Sequence, residues 1–224
     1  MRGRLFSLFA CLFALSFSLD SAYGANLAQQ RQYYDEAKRA LAKGDDGPYQ
    51  RYAAALQDYP LQPYLAYDEL TARLKSASNA EIEKFLAEHG DLPQASWMKL
   101  RWLRWLAERG EWQTFLNYYD PKLNFTELDC LYGQYLLSQG PVAEANAAAE
   151  KLWLVGKSQP QACDVLFERW AARGQLSESL RWQRAKLAAE ARNYGLASHL
   201  VKNLPSRAQQ GALLVEVAQN PALL

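Results

Sequence analysis

The protein is a chain of 224 residues, half of them hydrophobic, with 25 basic and 24 acidic side chains. A chain of this length can bury a substantial core, while its near-neutral balance offers no basic stripe of the kind that holds nucleic acid. His89 and His199 are isolated and have no ligand-type partner at i+3 or i+4, so no metal or cofactor site is expected.

The first segment has the layout of an export signal. Arg2 and Arg4 precede an apolar run from Leu5 to Leu19, and Ala22-Tyr23-Gly24 places small residues at cleavage positions. Cleavage is expected after Gly24. The run is shorter than the ~20 residues a membrane span needs, so no stable membrane anchor is expected. A lipidation reading of Cys11 fails on the bulk of Phe9 and on the short hydrophobic segment before it. Removing residues 1–24 takes away Arg2, Arg4, Asp20 and Cys11, which leaves a neutral mature segment with Cys130 and Cys163. Two cysteines in an exported protein suggest one disulfide, with a pair of buried free thiols as the alternative. Closing a loop of 33 residues would stabilise the fold by about 3–4 kcal/mol.

From there the pattern is helix after helix, with no convincing alternating strand. Gln29–Leu41 reads as a helix ended by Gly44, and Pro48–Leu56 as a short second one. Pro60 and Pro63 force a turn, and Pro63 can sit in the first turn of a helix carrying Tyr64, Tyr67, Leu70 and Leu74. Ser78 with Glu81 forms a capping box ahead of Ile82, Phe85 and Leu86. Residues 95–109 are apolar on more than one side, as in a helix packed between neighbours. Gly110 ends that helix, and Glu111–Tyr118 starts another. Thr126 and Asp129 suggest a second capping box, before a stripe of Leu128, Leu131, Tyr132, Tyr135 and Leu136 with Cys130 off it.

Gly140-Pro141 then separates this helix from Val142–Trp153. Gly156 is expected to take the left-handed conformation that ends a helix, and Pro160 breaks the chain. Cys163, Leu166, Phe167, Trp170 and Ala171 form the stripe of the next helix. Gly174 ends it, and three further helices are expected around Leu176–Ala191, Leu196–Leu204 and Gln209–Ala218. Gly110, Gly140 and Gly174 recur at 30 and 34 residues, and Gly44 lies 66 before Gly110. Helix pairs at this period mark an α-solenoid, so the fold class is all-α, a superhelix of about twelve helices in antiparallel pairs, curved and right-handed. Asn220-Pro221 follows an apolar helix with no polar capping repeat, so the sequence reads as the front of a longer superhelix.

Chemistry is sparse. Gly156-Lys157-Ser158 mimics the tail of a phosphate-binding loop, but Lys151 stands where the upstream glycine is needed and no strand precedes it. Seven tryptophans and thirteen tyrosines mostly fall on helix stripes. Aromatic faces also stack on sugar rings, and beside the solenoid-core reading of these residues Tyr64, Tyr67, Tyr118 and Tyr119, near turns, are the ones that best fit an exposed role.

Tyr59-Pro-Leu-Gln-Pro-Tyr-Leu-Ala-Tyr67, Cys130, and Leu152-Trp-Leu-Val-Gly-Lys-Ser-Gln-Pro-Gln-Ala-Cys-Asp-Val-Leu-Phe167 resemble the N-terminal region of the large soluble lytic murein transglycosylases of Gram-negative bacteria. The resemblance covers essentially the whole of residues 25–224. It implies a periplasmic, lyase-type enzyme that cuts the β-1,4 bond between N-acetylmuramic acid and N-acetylglucosamine and leaves a 1,6-anhydromuramoyl end. It also implies an α-superhelical U-domain, a linker domain and a C-terminal lysozyme-like domain that carries the catalytic glutamate in a Glu-Ser motif, followed by Gly-Leu-Met-Gln. Here Glu178-Ser179 is the one such dipeptide, no Gly-Leu-Met-Gln follows, and helix-start capping explains it better. No catalytic residue is therefore assigned, and the catalytic domain is expected to be absent from residues 25–224. The resemblance carries over a Cys130–Cys163 disulfide, a scaffold role, and peptidoglycan strands (with other cell-wall proteins) as partners. The competing reading is a non-catalytic periplasmic helical-repeat adaptor that binds protein or glycan.

Overall fold

A computed structural model describes residues 26–220 and residue 222; the export signal expected over residues 1–24 lies outside the described residues. All regular structure among the described residues is helical. Helix α1 covers residues 26–43. It is followed by α2 (Asp46–Ala54), α3 (Gln62–Ala72), α4 (Asn79–His89), α5 (Pro93–Glu108) and α6 (Trp112–Tyr118). Then come α7 (Thr126–Gln139), α8 (Val142–Trp153), α9 (Gln161–Ala172), α10 (Glu178–Glu190), α11 (Tyr194–Val201) and α12 (Ala208–Gln219). Short 3-10 turns, Pro121–Leu123 and Pro205–Arg207, precede α7 and α12. The chain divides into two compact units, Met1–Lys99 and Leu100–Leu224.

Local chemistry places several helix ends. At the start of α4, Ser78 Oγ accepts from the Glu81 amide at 3.3 Å and the Glu81 carboxylate accepts from the Ser78 amide at 2.8 Å, which is the expected capping box. Ser177 caps α10 through the Leu180 amide, and Asn193 caps α11 through the Leu196 amide, each at 3.2 Å. Thr126 does not cap α7. Phe125 occupies the cap position without a side-chain bond. Asp129 instead accepts a 2.7 Å hydrogen bond from the Tyr119 hydroxyl, a partner from outside the helix.

The glycine rhythm has two physical origins. Gly44, Gly110 and Gly174 hold φ of +73°, +72° and +73°, the left-handed geometry that ends a helix. Gly140 is extended (φ −91°, ψ 176°) and touches Leu136 too closely for a side chain. Gly156 also departs from expectation, because it is not among the positive-φ residues. A Cβ there would lie 2.2 Å from the Leu187 carbonyl oxygen and 2.8 Å from the Ala191 Cβ, so glycine is required by the close approach of the 154–160 loop to α10.

In the first unit, Ala37, Ala40, Tyr49, Leu56, Tyr59 and Leu65 form the core. Tyr67 of α3 packs on Phe85 of α4 with ring centroids 6.4 Å apart. Arg73, at the end of α3, pairs with Glu69 and with Glu81 of the capping box. Helix α5 runs across the division at Lys99; it is buried at Met98 on the first-unit side and at Leu100, Trp102, Leu103 and Leu106 on the second-unit side, while Trp97 is 52% exposed.

In the second unit, α7, α8 and α9 pack on one another, and so do α10, α11 and α12. Within each of these two groups a helix meets the next and the next but one, as in the repeating units of a solenoid. Cys130 of α7 and Cys163 of α9 are fully buried and joined by a disulfide with Cα atoms 4.9 Å apart. The indole N–H of Trp153 donates to the Leu180 carbonyl at 3.1 Å and ties α8 to α10. No helix among the described residues is long and apolar enough to cross a membrane.

Candidate functional site

The loop after α8 and the start of α9 shape a cavity of about 630 Å³ in the second unit, lined by both charged and aromatic side chains. Trp153 closes α8, Pro160 breaks the chain before α9, and Asp164 and Phe167 sit one turn apart on α9. These elements surround Arg184 of α10, which is only 5% exposed. Its guanidinium carbon lies 4.2 Å from the Trp153 ring centroid and 5.2 Å from that of Phe167, a cation–π arrangement with a ring set edge-on to the first. Its Nη2 donates a long 3.5 Å bond to the Lys157 carbonyl, and its Nε is buried with no hydrogen-bond partner. Burial pushes the Arg184 guanidinium below its ordinary value, and the nearby Asp164 charge opposes that. Around the cavity, Arg181 is half-buried, whereas Asp164, Glu168 and His199 are exposed.

The residues singled out by sequence fall into separate places. Tyr64 and Tyr67 line a smaller cavity of about 310 Å³ in the first unit, together with Tyr34, Lys38, Asp68 and Gln94. Tyr118 and Tyr119 do not take an exposed role. Tyr118 packs on Trp102 at 4.7 Å, and Tyr119 is stacked between Phe115 and Tyr132 at 5.5 and 4.7 Å. Burial and the Asp129 bond push the Tyr119 phenol well above its ordinary value. One carboxylate oxygen of Glu178 accepts from the Ser206 amide at 3.1 Å and from its hydroxyl at 2.6 Å, so it braces α10 against the turn before α12. His89 packs edge-on against Phe85 at 5.3 Å. No group of three potential metal ligands occurs among the described residues. Gly156-Lys157-Ser158 contributes a carbonyl to Arg184, and a helix, not a strand, precedes it.

Sequence reasoning missed Arg184. Its position in α10 lies among Arg181, Gln183 and Lys186, and nothing local distinguishes it from a solvated arginine.

Successive helical hairpins with a covalent bond between alternate helices place this chain among the α-solenoid folds. The chain is 32% identical over 219 residues to the soluble lytic murein transglycosylase of Escherichia coli K12, a match over 97% of this chain and 34% of that protein. It is 32% identical over 197 residues to the Salmonella typhimurium protein of the same name, covering 88% of this chain and 30% of that one. Among solved structures, an inactive mutant of the lytic transglycosylase Slt from Pseudomonas aeruginosa matches with a TM-score of 0.81 and 68% identity, over 85% of this chain and 31% of that one. The 70 kDa soluble lytic transglycosylase of Escherichia coli matches with a TM-score of 0.75 and 33% identity, over 88% and 32%. The chain is similar to the soluble lytic murein transglycosylases over most of its own length, and it spans about one third of the length of the relatives it matches. A family profile described as cucumovirus coat protein matches residues 110–216, less than half of the chain.

Proposed function

We propose that the chain is the N-terminal scaffold region of a periplasmic soluble lytic murein transglycosylase. On this reading residues 1–24 are removed on export, and residues 25–224 form part of an α-superhelical U-domain. Bond cleavage belongs to a catalytic domain outside these residues, and the substrate is the peptidoglycan glycan strand, cut to 1,6-anhydromuramoyl products. The observation that carries the reading is the 68% identity and TM-score of 0.81 to a lytic transglycosylase of which the chain covers only 31%.

The site chemistry supports the division of labour. Glycosidic cleavage needs a carboxyl group free to act as acid and base beside the scissile oxygen. Glu178 is held as a hydrogen-bond acceptor for Ser206. The disulfide and the bonds between alternate helices suit a region that keeps its shape while another part of the protein does the chemistry. The test compares the complete gene product with residues 25–224 on purified sacculi. The complete product is expected to release 1,6-anhydromuropeptides and the segment none. Release by the segment that is abolished by Glu178→Gln, or no release by the gene product, refutes the reading.

A further inference from the structure

We propose that the Arg184 pocket is a binding site for a peptide with a free carboxylate and a free ammonium, the carboxylate seated on the buried guanidinium and the ammonium at the Asp164–Glu168 rim. The starting observation is an imbalance of charge and hydrogen bonding. Buried cations are ordinarily paired with an anion, because desolvation of an unpaired charge is costly. Arg184 is 5% exposed, yet no carboxylate among the described residues lies within 4 Å of it. The faces of the guanidinium are served by Trp153 and Phe167. Its in-plane donors are not: one bond reaches 3.5 Å and Nε has none. An arginine carries five N–H donors in a planar fork that fits the two oxygens of a carboxylate. The aromatic contacts hold that plane in place and, with Nε closed to solvent, leave the terminal Nη groups to a ligand.

The layout of charge narrows the ligand further. The half-buried Arg181 and buried Arg184 supply positive charge inside the pocket, and the exposed Asp164 and Glu168 supply negative charge at its rim. A multiply charged anion such as phosphate would meet that rim with repulsion, whereas a zwitterion satisfies both ends. Asp164 acts on Arg184 through space without touching it. A cavity of about 630 Å³ holds a ligand of several residues. The stem peptides of peptidoglycan have this chemistry where diaminopimelate leaves an ammonium and a carboxylate on one carbon. The choice of a murein peptide rests on the function proposed above, but the need for a free carboxylate does not.

The experiment is calorimetric titration of the purified protein with the tripeptide L-alanyl-γ-D-glutamyl-meso-diaminopimelate. The control is the same tripeptide with its diaminopimelate carboxylates amidated. Wild type is expected to bind the acid at least tenfold more tightly than the amide. Arg184→Met, which keeps an apolar stem against Trp153, is expected to lose at least tenfold for the acid while its circular dichroism and melting remain cooperative. Arg184→Lys, which keeps charge but not the planar fork, is expected to lose affinity as well. Equal binding of acid and amide, wild-type affinity in Arg184→Met, or no binding by wild type at millimolar peptide overturns the proposal. The sacculus assay reads the enzymatic assignment separately, so failure of either result is recognisable on its own.

Discussion

Gly156→Ala is the most informative single change to the scaffold. An added Cβ would lie 2.2 Å from the Leu187 carbonyl oxygen, 2.8 Å from the Leu187 carbonyl carbon and 2.8 Å from the Ala191 Cβ. Two of these three obstacles are backbone of α10, so no rotamer change relieves the clash, and the 154–160 loop must lift by most of an ångström. Overpacking of this kind costs about 2–3 kcal/mol. For a protein of this size that lowers Tm by about 4–12 °C. The loop carries the Lys157 carbonyl that Arg184 contacts, so a lifted loop also loosens the pocket. Gly174→Ala is the matched control: its φ is +73° and nothing lies within 4 Å of an added Cβ, so only the left-handed backbone cost of about 1 kcal/mol applies. Thermal and urea unfolding followed by circular dichroism measure both. If Gly156→Ala is no more destabilising than Gly174→Ala, the close approach of the loop to α10 is not what selects glycine at 156.

Other consequences follow from the same geometry. Cys130→Ser or Cys163→Ser opens a 33-residue loop and is expected to cost about 3–4 kcal/mol, seen as a lower urea midpoint that dithiothreitol reproduces in wild type. Tyr119→Phe removes the 2.7 Å bond to Asp129 and leaves a half-buried carboxylate without that donor, for a loss of about 1–2 kcal/mol in chemical denaturation. The Arg73 guanidinium, with the Ser78 amide and hydroxyl, holds the Glu81 carboxyl down to about 2 from its ordinary 4.5. A lowered native pKa contributes stability above the unfolded value and loses it as pH falls toward 2. Glu81→Gln is therefore expected to be less stable than wild type near neutral pH and to show a shallower loss of Tm between pH 5 and pH 2.

The helices were legible in the sequence because the signals that make them are local. Apolar spacing around Cys163, Leu166, Phe167 and Trp170 marks a buried helix face whatever lies opposite, and the Ser78–Glu81 box closes within four residues. The left-handed glycines at 44, 110 and 174 act through their own φ, so they too could be read directly. Tertiary contacts decided the rest. Phe125, not Thr126, stands at the cap position of α7 without a side-chain cap bond, and Asp129 bonds to a tyrosine ten residues away. Gly156 answers to a carbonyl on α10, 31 residues further along the chain, and not to its own torsion angles. Arg184 sits in a polar stretch that reads as solvent-facing, and its burial comes from Trp153 and Phe167, which belong to two other helices. Hydrogen-bond and spacing rules reach about one helical turn along the chain. The cost of burying a charge depends on what the fold places around it, so the Arg184 pocket exists only at the level of the packed helices.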